Sequence, residues 1–139
     1  PDDDNNKKNE NNQKQRQQER FDELKDVFDK DNPKTDLTID GQLVRQNGGN
    51  RYTTRIYDSQ NLTDRQIYNY AEELAGQPLT KAREGVYTTR LQDGTSITLR
   101  NVSHSAEKTG ARWIIEITNN PILANLYRGL RKGAEIKFR

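Results

Sequence analysis

Two runs of alternating apolar and polar residues, joined by a tight turn, constrain the fold more than any other part of the chain. The stretch 86–102 reads VYTTRLQDGTSITLRNV, with an Asp-Gly pair at 93–94 between the two runs. Such a pair between alternating runs is the strongest short-range signal for a β-hairpin. The following run, ARWIIEIT, alternates with Trp113, Ile115 and Ile117 on one side. We therefore expect three neighbouring strands of a sheet with one apolar face.

Shorter elements precede this hairpin. LTIDGQLV at 37–44 alternates around an Asp-Gly pair and predicts a small hairpin, and NGGN at 47–50 predicts a flexible break. The segment LTDRQIYNYAEELAGQP predicts a helix, because Thr63 and Gln66 have the spacing of a capping box and Gly76 can end it. Its inward face is Ile67, Tyr70, Ala71 and Leu74.

The N-terminal tract lacks the apolar residues that a core requires. Its first twenty residues contain proline as the only apolar residue type, so we expect them to be disordered or to form a solvated helix. Four apolar residues then lie on one stripe of a helix that ends before DNP at 31–33, namely Phe21, Leu24, Val27 and Phe28. We therefore divide the chain into a charged, partly helical linker, residues 1–33, and a compact domain, residues 34–139.

The C-terminal segment adds a helix and a strand. ILANLYRGLRKG, after Pro121, predicts one short helix that ends at Gly133, and AEIKFR predicts a last strand with Ile136 and Phe138 inward. Helices and strands in this order close most simply as helices packed on one face of an antiparallel sheet. The predicted fold class is α+β.

Charge is unevenly distributed, although the net charge is only +2. Residues 1–80 contain 12 Lys and Arg against 16 Asp and Glu, whereas residues 81–139 contain 11 against 5. The C-terminal part is therefore the expected polyanion-binding surface, although a small solvated domain can carry the same excess without such a partner. The candidate substrate-binding residues are Arg128, Arg131, Lys132 and Lys137 for phosphates and Tyr87 for a base.

Several kinds of site are not encoded. A single histidine, His104, cannot form a multi-histidine zinc site, and the chain has no cysteine for a thiolate site or a disulfide. NGG at 47–49 lacks the residues that follow in a phosphate-binding loop. No apolar run reaches the roughly 20 residues of a membrane-spanning helix, and none has the pattern of a signal peptide. We expect no metal, no cofactor and no membrane insertion by this segment.

The lone histidine lies in a polar loop beside cations, in LRNVSHSAEKTGARW. RNA carries its own nucleophile, the 2′-hydroxyl, so its cleavage needs a base, an acid for the leaving 5′-oxygen and cations for the phosphorane. His104 or Glu116 could take the proton, and Lys108, Arg112 or Arg100 could hold the phosphate. Arg112, Glu116 and Lys137 could instead form a cross-strand ion-pair face with a purely structural role.

The stretch SITLRNVSHSAEKTGARWIIEI resembles the C-terminal strand-loop-strand of effector domains in bacterial contact-dependent inhibition proteins, colicins, S-type pyocins and related polymorphic toxins. The charged, Gln/Asn-rich lead-in is similar to the linker that precedes such domains. The resemblance covers the layout of residues 35–139, with LRNVSHSAEKTGARW as its specific element. It implies a small nuclease of the barnase/EndoU/RelE-like group, with N-terminal helices on a curved antiparallel sheet, that attacks RNA, often tRNA, and is bound by an immunity protein. Members of this group share no single catalytic motif, so the resemblance does not assign a role to His104.

These patterns predict a metal-independent ribonuclease domain of an interbacterial toxin or bacteriocin. We expect the producing cell to secrete it, or to deliver it from its surface, within a larger protein that acts in the cytoplasm of the target cell. Two other functions stay open. One is a non-catalytic module that binds nucleic acid or protein through the same cations. The other is a metal-dependent DNase, which is disfavoured because DNA lacks the 2′-hydroxyl and such enzymes recruit metal through His and Asp clusters.

Overall fold

A computed structural model describes residues 2–50, 52–101, 111–126 and 128–139 of the chain. The helices in these ranges are α1 (Asp2–Val27), α2 (Asp64–Ala75), α3 (Pro121–Ala124) and α4 (Gly129–Lys132). The strands are β1 (Leu37–Ile39), β2 (Gln42–Gly49), β3 (Thr54–Asp58), β4 (Thr80–Arg83), β5 (Val86–Arg90), β6 (Ser96–Arg100), β7 (Trp113–Thr118) and β8 (Ala134–Phe138). The α+β class is confirmed.

The strands form one open, mixed sheet in the order β1-β2-β3-β8-β7-β6-β5-β4. Neighbouring strands are antiparallel except β3 and β8, which run parallel with Ile56 opposite Lys137. The expectation of an antiparallel sheet is therefore wrong at this one pair. Strand β3 was missed by the sequence pattern, and it places the last strand between the two parts of the sheet.

Both predicted hairpins are present. Strands β1 and β2 pair across Asp40 with φ 53° and Gly41 with φ 75°, the positive pair that a type I′ turn requires. Strands β5 and β6 form the later hairpin. The predicted break at 47–50 is wrong, because residues 47–49 continue β2 through a bulge opposite β3. A Cβ at Gly49 would collide with the carbonyl oxygen of Thr54, so the bulge requires glycine there.

Helix α2 begins and ends where local signals predict. The Thr63 hydroxyl accepts a hydrogen bond from the Gln66 backbone, and the Gln66 side chain accepts one from the Thr63 backbone. Gly76 ends the helix in the left-handed conformation with φ 66°. The predicted inward face is buried, as Ile67, Tyr70, Ala71 and Leu74.

Helix α1 is present along the tract that was expected to be disordered or a solvated helix. Residues 11–16 are exposed. Farther along, Gln17 donates hydrogen bonds to the carbonyls of Leu74 and Ala75 at the end of α2. The last turns enter the core with Phe21, Leu24, Val27 and Phe28. The folded core therefore includes residues that the sequence division assigned to the linker.

The segment after Pro121 forms two short helices instead of the single helix predicted. Asn120 caps α3, and its side chain accepts a hydrogen bond from the Leu123 backbone. The weak helix former Asn125 follows the end of α3, and α4 begins anew at Gly129. Both helices still anchor inward, through the buried residues Leu123 and Leu130.

The core lies between the helices and one face of the sheet. Leu99, Ile115 and Ile136 are fully buried on adjacent strands of this core face. Side chains alternate along a strand, so the residues between them point the other way. We call that side the polar face; in β6, β7 and β8 it comprises Ser96, Thr98, Arg100, Ile114, Glu116, Thr118, Glu135 and Lys137.

Candidate active site on the polar face

Charged side chains occupy two neighbouring rows across the polar face. Arg100 lies opposite Ile114, and Glu116 lies between Thr98 and Glu135. Strand alternation predicts this placement for Arg100 and Glu116, because their neighbours along the strands face the core. Two of the predicted catalytic residues thus meet on one surface.

An ion pair joins these two residues. Arg100 Nη2 lies 3.2 Å from Glu116 Oε2, and the two side chains are 32% and 33% exposed. Arg100 Nε is buried and has no hydrogen-bond partner among the described residues. A desolvated donor of this kind favours an anionic acceptor, and the planar guanidinium suits a phosphate.

The predicted loop residues His104 and Lys108 lie outside the described residues. The chain that contains them leaves the sheet after Arg100 at the end of β6 and returns to it at Trp113, the start of β7. The sequence therefore places both residues between the two strands that carry the ion pair.

Lys137 lies on the same face but is only 8% exposed. Its Nζ is 3.7 Å from Glu135 Oε2, and across the strands it faces Ile114, which is 2% exposed. The predicted phosphate contact thus lies beneath the surface of the polar face. Glu135, which the sequence analysis did not single out, could have been found from alternation in AEIKFR, since it shares a side with Lys137.

Arg112 is engaged in a structural clamp. Its Nη1 lies 2.7 Å from Asp64 Oδ1, and its Nη2 donates to the backbone oxygens of Ser59 and Leu62 at 2.6 and 2.7 Å. The Trp113 indole also donates to Asp64 Oδ1, at 2.9 Å. These contacts tie the start of β7 to the segment before α2 and leave Arg112 poorly placed for the predicted phosphate role. Partners about fifty positions away carry no local sequence signal.

The remaining predicted substrate-binding residues lie away from the ion pair. Tyr87 is on the core side, where its ring packs edge-on against Tyr68 at a centroid distance of 5.3 Å. Three exposed cations in and just before α4 lie beyond the far end of β7, namely Arg128, Arg131 and Lys132. The structure therefore brings together Arg100, Glu116 and Lys137 and separates them from the other predicted contacts.

A further ion pair, between Asp58 and Arg139, lies at the ends of the paired strands β3 and β8. Asp58 accepts hydrogen bonds from Asn47 and from Arg139, whose Nη2 is 3.0 Å from Asp58 Oδ1. Those bonds, with that from Asn47 the stronger cause, lower the pKa of the Asp58 carboxyl. In contrast, burial raises the pKa of Tyr70 in the core, so its phenol stays neutral.

Within the described ranges, no group of three or more His, Asp or Glu side chains is arranged to hold a metal ion. The helices in those ranges also include none that is long and apolar enough to cross a membrane. Comparisons with protein-family models, with curated proteins and with solved structures found no match to this chain.

Proposed function

We propose that this chain is a metal-independent ribonuclease, the effector domain of an interbacterial toxin or bacteriocin. The observation that carries the proposal is the Arg100–Glu116 ion pair on the polar face, at 3.2 Å. A carboxylate and a guanidinium are held there by strands whose opposite side is a packed core. In the sequence, His104 and Lys108 lie between the two strands that carry this pair.

The proposed reaction uses the 2′-hydroxyl of the substrate as the nucleophile. The Glu116 carboxylate takes the hydroxyl proton while the 2′-oxygen forms a bond to phosphorus. Arg100 stabilises the phosphorane charge. As the bond from phosphorus to the 5′-oxygen breaks, His104 or Lys108 donates a proton to that oxygen. The products are a 2′,3′-cyclic phosphate and a free 5′-hydroxyl.

The finer parts of the proposal rest on the resemblance of LRNVSHSAEKTGARW to toxin effector domains. From it we propose tRNA as the substrate and a cognate immunity protein as the partner in the producing cell. We also propose delivery within a larger secreted or surface protein and action in the target-cell cytoplasm. Expression without the immunity protein should then stop bacterial growth, and a Glu116→Gln variant should be tolerated.

A non-catalytic module that binds nucleic acid is the second candidate. The exposed cations in and just before α4 favour it, because Arg128, Arg131 and Lys132 can hold phosphates without any chemistry. Such a module would bind RNA with strong salt dependence and leave it intact.

The decisive experiment incubates the purified protein with total RNA in EDTA and follows cleavage products by gel and mass spectrometry. We expect cleavage that ends in cyclic phosphates, slowed about 10²- to 10⁴-fold by Glu116→Gln through loss of the base. Glu84→Gln is the matched control, since Glu84 belongs to the exposed Lys81–Glu84 pair at 2.8 Å on the edge hairpin. Binding without cleavage would select the binding module, and cleavage of DNA only after added divalent metal would select the DNase.

A further inference from the structure

A polar depression lies at the end of the sheet opposite the Arg100–Glu116 pair. Its volume is about 430 Å³, and two guanidinium-bearing residues line it, Arg90 at the end of β5 and Arg131 in α4. Asn119 and the turn residue Asp93 also line it. The sequence does not indicate this grouping, because Arg90 and Arg131 lie far apart in the chain, one in a strand and the other in a helix.

The side chains of both arginines in the depression are available to an outside group. Within the described chain, neither forms a side-chain hydrogen bond or an ion pair, whereas Arg100, Arg112 and Arg139 are each paired with a carboxylate. Both are exposed. Their charge is therefore available to an external anion at no loss of an internal contact.

The one carboxylate of the depression is held in its own turn. Asp93 Oδ1 accepts a hydrogen bond from the Thr95 backbone at 2.9 Å. Two arginines and one internally bonded carboxylate thus line the depression among the described residues, and the balance of charge favours an anion.

A strip of small hydroxyl side chains connects this depression to the ion pair. Arg90 lies opposite Ser96, Ser96 opposite Thr118, and Thr98 opposite Glu116. From Arg100 to Ser96 the strand advances about 14 Å, at ~3.4 Å per residue. An extended RNA strand bound at Glu116 can follow this strip and place a further phosphate at the arginines.

We propose that Arg90 and Arg131 form a second phosphate-binding subsite, so that the substrate is a polynucleotide which spans the polar face. This inference rests on the proposed ribonuclease function and adds the length requirement of its substrate. The subsite contacts no scissile phosphate, so it strengthens binding of long RNA and leaves the chemical step unchanged.

The test compares a dinucleoside monophosphate, which has only the scissile phosphate, with a twelve-nucleotide RNA. In the Arg90→Ala/Arg131→Ala variant we expect KM for the longer RNA to rise roughly tenfold, with kcat and dinucleotide cleavage unchanged. The salt dependence of oligonucleotide binding should fall by about 0.7 per lost contact. Lys14→Ala/Arg16→Ala removes the same charge from the exposed part of α1 and should change neither quantity.

The outcomes separate the two proposals. If the wild-type protein cleaves both substrates and the Arg90→Ala/Arg131→Ala variant keeps its KM for the longer RNA, the subsite is refuted and the ribonuclease function stands. An equal rise in KM in the α1 control also refutes the subsite, because net charge alone then explains the effect. Failure of the wild-type protein to cleave either RNA overturns the ribonuclease function, and the subsite with it.

Discussion

Leu99 and Arg100 are neighbours in β6, but they belong to two regions that differ in burial and in charge. Leu99 is fully buried on the core face, whereas the Arg100 side chain is about a third exposed and paired with Glu116 on the polar face. Burial of apolar area supplies most of the stability of a domain, while a partly exposed ion pair supplies little. One strand therefore presents a buried apolar side and a charged side by alternation alone.

The polar face is not an ordinary solvated surface. Glu116 and Glu135 lie directly opposite each other across β7 and β8, an arrangement that is unfavourable for like charges. Arg100 and Lys137 offset it by contacting these carboxylates at 3.2 and 3.7 Å. An alternating charge pattern of this kind is vulnerable to removal of one member, and a phosphate could take part in it.

The largest effect on cleavage without an effect on stability is expected at His104, one of the two residues proposed as the acid. We expect His104→Ala to slow RNA cleavage about 10²- to 10⁴-fold and to change the free energy of unfolding by no more than about 0.5 kcal/mol. Single-turnover cleavage and urea denaturation measure the two quantities. A folded variant that cleaves at the wild-type rate would move the acid to Lys108, with Arg100 and Glu116 unchanged in their roles.

The reverse pattern is expected on the core face. Leu99→Ala should lower the free energy of unfolding by roughly 2–5 kcal/mol, because it removes buried methyl groups and leaves a cavity. Cleavage per folded molecule should stay normal. Its neighbour Arg100→Ala should cost about 1 kcal/mol or less and still slow cleavage strongly. Comparable losses of stability in the two variants would abolish the distinction between the faces.

The Arg112 clamp should show an intermediate effect. We expect Arg112→Ala to destabilise by about 1–2 kcal/mol, since it removes the partner of the Ser59 and Leu62 carbonyls and of Asp64. Arg112→Lys should not restore stability, because an ammonium cannot reproduce the fork of the guanidinium. Urea denaturation of both variants provides the test. An Arg112→Ala variant of native stability with slowed cleavage would return Arg112 to the phosphate role predicted from the sequence.

The smallest effect is expected in the pH dependence of the free energy of unfolding. The pKa of Asp58 in the folded protein lies below its ordinary value of 3.8, so this group stabilises the fold above that value and the contribution disappears as pH falls below it. Unfolding free energies at roughly pH 6 and pH 3 should therefore converge slightly in Asp58→Asn relative to the wild type. Parallel pH profiles would mean that the hydrogen bonds of Asp58 contribute nothing.

Features that depend on residues close together in the sequence were predictable, and features that depend on residues far apart in the sequence were not. The capping box of Thr63 and Gln66 and the two Asp-Gly hairpins follow from local chemistry. The strand at 47–49 was missed because glycine is a poor strand former and its partner β3 is set by tertiary pairing. The Arg112 clamp depends on Asp64, far away in sequence.

The same limit applies to the predicted site. Alternation explains why Arg100 and Glu116 share a side, because both lie in regular strands. It could not show that Tyr87 faces Tyr68 on α2, since that depends on which face the helix covers. Nor could it show that Arg90 and Arg131 line one depression, because they lie far apart in the chain.

The parallel insertion of β8 ties assembly of the sheet to the timing of synthesis. Thr54 pairs with Glu135, and the Arg139 backbone donates to the Tyr57 carbonyl, so β3 is completed by residues made about eighty positions later. Until β8 has been made, β3 and β7 lack the strand that joins β1–β3 to β4–β7 in the folded sheet. Loop closure over such distances is slow. The polar face is therefore complete only once β8 has been made and has paired with both β3 and β7.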